Sequence, residues 1–284
     1  MSHLAIPKTY KLYIGGKFPR SESGRVYEVT TAKGAFIANA AKASRKDARD
    51  AVVAARAAFS GWSGATGYNR GQVLYRIAEL LEGRRAQFVE ELHASDGITV
   101  SAAEKQVDAA IDTWVWYAGW ADKYVQVAGN GNPVSGPYFN ISTPEPTGVV
   151  AVIAPERQGL LGLVSVIAPV ILSGNTVVVV ASEKSPLSAI SLSEVLATSD
   201  VPGGVVNVLT GSAAEIAPWL ASHGDVNAID LAGAESMDWV DLQIAAAETL
   251  KRVLPPESGV PEQSVERVTF FTETKTVWHP KALI

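Results

Sequence analysis

The sequence predicts an α/β fold: a parallel β-sheet with flanking helices. Two observations carry this. Between residues 147 and 233 lie four short runs, 148–154, 176–180, 205–209 and 228–231, that are rich in β-branched residues and almost wholly apolar. A strand with one wet face alternates; a strand covered on both faces does not. Segments of helix length separate the runs, so the strands run parallel through right-handed crossovers. The punctuation agrees. Ser185 can cap a helix with Pro186 in its first turn, and Ser173-Gly174 and Pro202-Gly203-Gly204 turn the chain from helix into strand.

Ahead of the sheet, residues 12–18 and 25–29 alternate around Gly15-Gly16 and a polar turn, which reads as a β-hairpin. Residues 44–59 form an alanine-rich helix, with Ser44 as its cap and Asp47 three residues later. Trp62 follows in a Gly/Ser turn. A second helix spans 70–81, with Val73, Leu74, Ile77 and Leu81 on one face. Two more cover 84–95 and 102–124. The last carries Trp114, Trp116, Tyr117 and Trp120, a stripe whose helical spacing marks a core face rather than a stacking platform. Residues 129–147, rich in Gly and Pro, make an extended arm whose apolar residues need a partner. The sheet region continues to about Glu248. Residues 255–264 read as a flexible connection, and 265–278 alternate like a strand. The chain therefore divides into an N-terminal hairpin and helices (1–132), an arm (133–147), the sheet (148–254), and a linker with a terminal strand (255–284).

The chain has 284 residues and a net charge of −5, with acids and bases interspersed. A nucleic-acid surface would show a basic stripe, so none is expected. No apolar run is long enough to span a bilayer, and residues 1–7 lack the pattern of a signal peptide, so a cytoplasmic protein is expected. There is no cysteine, which excludes disulfides, thiolate metal sites and a thiol nucleophile in this chain. Serine hydrolysis has no Gly-x-Ser-x-Gly elbow, since Gly211-Ser212 lacks the second glycine. His93 reads as structural, His3 and His279 fall in flexible ends, and no His and carboxylate pair has metal-ligand spacing. The adjacent acids Glu90 and Glu91 face different ways on a helix. No metal site is expected.

Several phrases, in order and well spaced, resemble the cofactor-binding half of the aldehyde dehydrogenase superfamily. They are Ser142-Thr-Pro-Glu-Pro-Thr-Gly148, Gly174-Asn-Thr-Val-Val178, Ser185-Pro-Leu-Ser-Ala189, Val201-Pro-Gly-Gly-Val-Val-Asn-Val208 and Ala221-Ser-His-Gly-Asp225. Residues 272–277 are similar to the family's terminal strand. The resemblance implies a Rossmann-like sheet and a β-strand oligomerisation arm. It also implies that the catalytic domain, which normally lies between the last cofactor-domain helix and the terminal strand, is missing.

Within the resemblance, Glu183, Gly211 and Gly233 match cofactor-binding positions and form a vestigial site. Other positions depart from the family. Pro155-Glu156-Arg157 stands where Pro-Trp-Asn is usual, so Arg157 replaces the oxyanion-holding Asn. Val180 stands for the ribose-binding lysine, Ala234 for a serine, and Asp238 for a glycine beneath the pyrophosphate. Glu235 and Asp238 would satisfy the local N–H donors and repel a dianion. No cofactor is expected, although the family binds NAD(P), and no catalytic residue is assigned. In the family, arm and terminal strand add onto a neighbouring subunit. The resemblance thus implies a non-catalytic pseudoenzyme that joins a full-length aldehyde dehydrogenase paralogue in a hetero-oligomer. The alternatives are an NAD-binding oxidoreductase subunit with residual or altered activity, and a homo-oligomeric binding protein whose partner is itself.

Overall fold

The computed structural model describes residues 8–31 and 33–281. His3 and the rest of residues 1–7 lie outside the described residues. Strands β1 (Thr9–Tyr10), β2 (Val26–Thr30) and β3 (Phe36–Ala41) form a small sheet in the order β1-β3-β2. The expected hairpin is only partly present. Gly15 and Gly16, both at positive φ, reverse the chain, but only Ile14 and Lys17 bridge across them. Residues 26–30 instead pair antiparallel with 36–41. Leu12 and Tyr13 are fully buried, and Tyr13 bridges to Val208, so this stretch joins the small sheet to the main one.

Five helices follow: α1 (Arg45–Ser63), α2 (Gly67–Gly83), α3 (Arg85–Asp96), α4 (Val100–Trp120) and α5 (Tyr124–Ala128). Ser44 and Asp47 make the expected capping box at the start of α1. Trp62 is not in a turn. It lies in the last turn of α1, buried, and its indole N–H donates to the Ile171 carbonyl at 2.8 Å. The aromatic stripe is core: Trp114 and Tyr117 are fully buried, with Trp116 and Trp120 packed against the same cluster. The helix expected over 102–124 breaks after Trp120.

Strands β4 (Asn130–Asn132) and β5 (Tyr138–Pro146) lead into the main unit: β6 (Val149–Ile153), α6 (Gly159–Leu172), β7 (Thr176–Val180), α7 (Pro186–Thr198), β8 (Val206–Leu209), α8 (Ala213–Ser222), β9 (Ala228–Asp230), α9 (Trp239–Ala247) and β10 (Arg252–Leu254). The main sheet is parallel throughout, in the order β10-β9-β6-β7-β8. Alternate residues of one strand feed two cores. Val150 and Val152 join α2, α3, α4, α6 and α7 on one face, while Val149, Ala151 and Ile153 join α1 and α8 on the other. Two covered faces explain the unbroken apolar runs. The expected Ser185 cap is different in kind. Pro186 opens α7, but the Ser185 hydroxyl donates to the Asp96 carboxylate at 2.8 Å rather than closing the helix end.

The last elements are α10 (Val265–Phe270) and β11 (Thr272–Pro280). The strand expected from residue 265 is thus a helix over its first six residues, capped by the Ser264 hydroxyl, which accepts from the Arg267 amide at 3.2 Å. Nor is 255–264 a loose connection. Gln263 donates to Thr113 at 2.9 Å, and Glu257 binds Arg267. β11 pairs antiparallel with β5 from Thr272↔Pro146 to Pro280↔Tyr138, giving a third sheet in the order β11-β5-β4. His279 belongs to this strand, opposite Phe139, and not to a flexible end.

Arg267 is buried, and its guanidinium donates both to Glu257 and to Asp230, a fully buried carboxylate at the end of β9. Burial holds the Asp230 carboxyl above the usual carboxylate range, with the facing Arg267 charge opposing the shift. Removing one member of a buried pair leaves an uncompensated charge, at a cost of about 3–5 kcal/mol. Arg267→Met is therefore expected to lower unfolding stability by about that amount. Asp230→Leu combined with Arg267→Met should recover most of the loss. Urea unfolding of the two variants measures both.

Candidate functional site

In an open parallel sheet, ligands bind in the crevice beyond the carboxyl ends of the strands, where the strand order reverses. Here that point lies between β6 and β9. A cavity of about 200 Å³ sits there, lined by Pro155 and Arg157 after β6, Gly233 and Glu235 after β9, and Glu257 and Gly259 after β10. The volume is below the 300–1,000 Å³ typical of small-molecule pockets. The segment after β10 closes one side, held there through Glu257 and Arg267.

Several backbone and hydroxyl donors around the crevice are already committed. The Glu156 carboxylate, which also lines it, accepts from the Ser182 hydroxyl at 2.8 Å, the Glu183 amide at 3.1 Å and the Lys184 amide at 3.4 Å. These are the groups that follow β7. At the start of α6, Gln106 of α4 accepts from the Leu160 amide at 3.2 Å. A helix N-terminus with its amides taken offers little to phosphate. Glu235 and Asp238 are both exposed. Asp238 precedes α9 but makes no side-chain cap, so the expected internal satisfaction of donors by these acids does not occur. Glu156, Glu235 and Glu257 face one cation, Arg157, in the cavity wall. The buried Tyr27 phenol is pushed up by burial first and then by the charges of Glu183 and Glu156. An acidic neighbourhood thus extends along the ends of β6 and β7.

The three sequence-identified positions all lie at the carboxyl end of the sheet but not in one pocket. Gly233 lines the crevice. Glu183 is exposed after β7, and Gly211 follows β8, on the far side of β6 from Gly233. Gly211 has φ +118° and packs on the backbone of Lys42 and Ala43. Gly233 has a plainer reason to be glycine. A Cβ there would sit 2.0 Å from the Ala154 carbonyl oxygen, and its amide donates to the Ile153 carbonyl at 2.8 Å. It lets the chain leaving β9 cross closely over the chain leaving β6. Sequence reasoning missed the ties made by Glu156, Gln106 and Glu257, because each bridges segments far apart in the chain. The only local signal was the acid at position 156.

His223 donates no catalytic arrangement. Its ring accepts from the Asp225 amide at 3.1 Å and stacks edge-on against Trp219. His93 holds the Ile98 carbonyl at 2.7 Å. Among the described residues no cluster of His, Asp or Glu could hold a metal ion, and no helix is long and apolar enough to cross a membrane.

The second candidate surface is the β11-β5-β4 sheet. Its base is fixed: Asn175 accepts from the Gly148 amide and donates to the Phe271 carbonyl, both at 2.7 Å. Its far end exposes Tyr138, Phe139, Ile141, Val277 and Trp278, the last with 58% of its surface open. The outer edge of β11 has no strand partner among the described residues.

Comparison with known proteins matches residues 18–260 to the aldehyde dehydrogenase family. Omega-crystallin of Enteroctopus dofleini is 31% identical over 257 residues, 89% of this chain and 51% of that protein. Retinal dehydrogenase 2 of Gallus gallus is 35% identical over 252 residues, 87% of this chain and 48% of that one. Among solved structures, the NAD⁺ complex of aldehyde dehydrogenase from Bacillus cereus superposes with a TM-score of 0.82 at 26% identity, covering 87% of this chain and 50% of that chain. The chain spans about half the length of the curated relatives it matches.

Gly233→Ala tests the role of the crossing. The added methyl meets backbone, which cannot swing away, so a loss on the order of 3 kcal/mol in urea unfolding is expected. The loss should be the same with and without NAD⁺ in the buffer.

Proposed function

This chain belongs to the aldehyde dehydrogenase family, and we propose that it is a non-catalytic member that docks through its β11-β5-β4 sheet onto a full-length aldehyde dehydrogenase. The observation that carries the reading is the arm itself. It is rigidly based and paired along nine residues of β11, yet its apolar end and outer strand edge face solvent. A long unpaired edge beside exposed aromatics is an association surface.

The crevice supports the non-catalytic half of the proposal. The chain has no cysteine to attack an aldehyde carbon. The residues around the crevice do not fit a dinucleotide. A pyrophosphate would meet Glu156 and Glu235 against Arg157, with Glu257 already paired to Arg267, each unfavourable contact costing on the order of 1 kcal/mol, and would find the amides after β7 already bonded to Glu156. Glu183, Gly211 and Gly233 are remnants of a cofactor site, the two glycines kept where backbone packing needs them and Glu183 an exposed side chain with no such role.

Co-expression with a full-length paralogue, followed by size-exclusion chromatography with mass measurement, tests the reading. A mixed oligomer is expected. Trp278→Ser should weaken association by about thirtyfold, the effect of losing one aromatic anchor, without moving the melting temperature of the isolated chain. Calorimetric titration with NAD⁺ should give no saturable heat. A stable monomer that ignores the paralogue overturns the docking, and tight NAD⁺ binding overturns the reading of the crevice. A stable homodimer in isolation would favour arms that pair with one another.

A further inference from the structure

A separate cavity of about 200 Å³ lies between β1, β3 and the turn that leads into β2. It is remote in the chain from both the crevice and the arm. Three cations line it, Lys11, Arg20 and Arg25, with Thr9 and Asn39 as neutral polar neighbours. No acidic side chain lines it, in a chain whose net charge is −5. Among the described residues, the Lys11 ammonium, the Arg20 guanidinium, the Thr9 hydroxyl and the Asn39 amide make no hydrogen bond, and neither Lys11 nor Arg20 forms an ion pair. Arg25 is already engaged: both terminal nitrogens of its guanidinium donate to Glu215 at 3.4 Å, and its Nε donates to the Ser23 hydroxyl at 3.4 Å. Val26 and Ala41 supply apolar wall, while the Tyr10 side chain lies on the opposite face of the sheet, its hydroxyl donating to Glu91 at 2.7 Å.

We propose that this cavity binds a small tetrahedral oxyanion, a phosphate or sulfate group. Two cations in one cavity wall, Lys11 and Arg20, with no acceptor among the described residues are an arrangement that packing alone does not require. A forked guanidinium and a point-charge ammonium together match the oxygens of such a group. The cavity is smaller than the pockets that hold drug-sized ligands, so it takes one phosphoryl group with little attached rather than a nucleotide. Besides Glu215, which holds Arg25, two acids stand close by without closing it. Asp47 accepts from the Ser21 hydroxyl behind the wall at 2.7 Å, and Glu28 pairs in register with Asn39 along the same face. The first removes Ser21 as a donor to a ligand. The second opposes binding and sets its strength in the weak range.

The test uses the full chain, with sodium phosphate titrated against sodium chloride at matched ionic strength. The readouts are the melting temperature and the ³¹P linewidth of the phosphate. A saturable rise in melting temperature with phosphate alone is expected. Lys11→Gln with Arg20→Gln should weaken the response by about tenfold or more, and Glu28→Gln should strengthen it. Arg49→Gln, which removes an exposed cation paired with Asp50 on α1, should leave it unchanged. Glycerol phosphate in place of phosphate separates a phosphorylated metabolite, which binds more tightly, from the free ion. Coincident phosphate and chloride curves, or a double variant that responds like the parent, would overturn the proposal.

Discussion

One guanidinium holds the two halves of this molecule in their relation. Arg267 leaves α10, enters the end of the parallel sheet at Asp230, and also grips Glu257 in the segment after β10. Asp230 is completed by the Ala232 amide at 3.0 Å. A buried ion pair is a weak source of net stability, because desolvation offsets its attraction, but it is intolerant of alternatives. Any other placement of α10 would leave a charge without a partner. The pair therefore fixes where the chain returns after the sheet, which sets both the wall of the crevice and the start of β11.

The crevice and the arm are consequences of that return. The segment 255–264 has to travel from β10 to α10, and Arg267 draws it across the carboxyl end of the sheet. Glu257 and Gly259 consequently stand where a ligand would enter. Immediately after α10, Phe271 is buried and its carbonyl takes the Asn175 amide, while the other end of Asn175 holds the Gly148 amide at the root of β5. One side chain thereby aligns both long strands of the arm. The same short stretch narrows the crevice and braces the arm.

Most of the sheet was legible because burial on both faces writes itself as continuous apolar runs, and 176–180 fell on its strand to the residue. β10 was not legible: Arg252-Val-Leu254 is three half-buried residues beginning with a charge, too short and too mixed to signal a strand. Residues 265–270 misled for the opposite reason. Val-Glu-Arg-Val-Thr-Phe alternates well enough for a strand, but Ser264 caps it as a helix, and Arg267 meets Asp230 from there. No local pattern contains that partner, 37 residues away. The N-terminal turn at Gly15-Gly16 was visible, while the pairing of Tyr13 with Val208 was not, since register between distant strands is decided by packing. At the site, the glycine at 233 was visible, but its reason, the Ala154 carbonyl beneath it, belongs to the fold.

The arm's faces bear on what it can be for. By register, Phe139, Ile141 and Val277 lie on one face of the sheet, and Tyr138 and Trp278 on the other, where their rings meet edge-on at 5.9 Å. An antiparallel sheet that stands in water keeps at least one face polar. This one does so near its base, where Ser142 and Thr276 share a hydrogen bond and Lys275 pairs with Glu145, and abandons it near its tip. Among the described residues nothing covers either apolar face of the tip. The partner proposed above would receive the tip on both sides, or add a strand to the free edge while packing over it. Under the proposed docking, the apolar tip is the part a partner covers and the polar base the part left in water, with the Asn175 brace fixing the base to the rest of the chain.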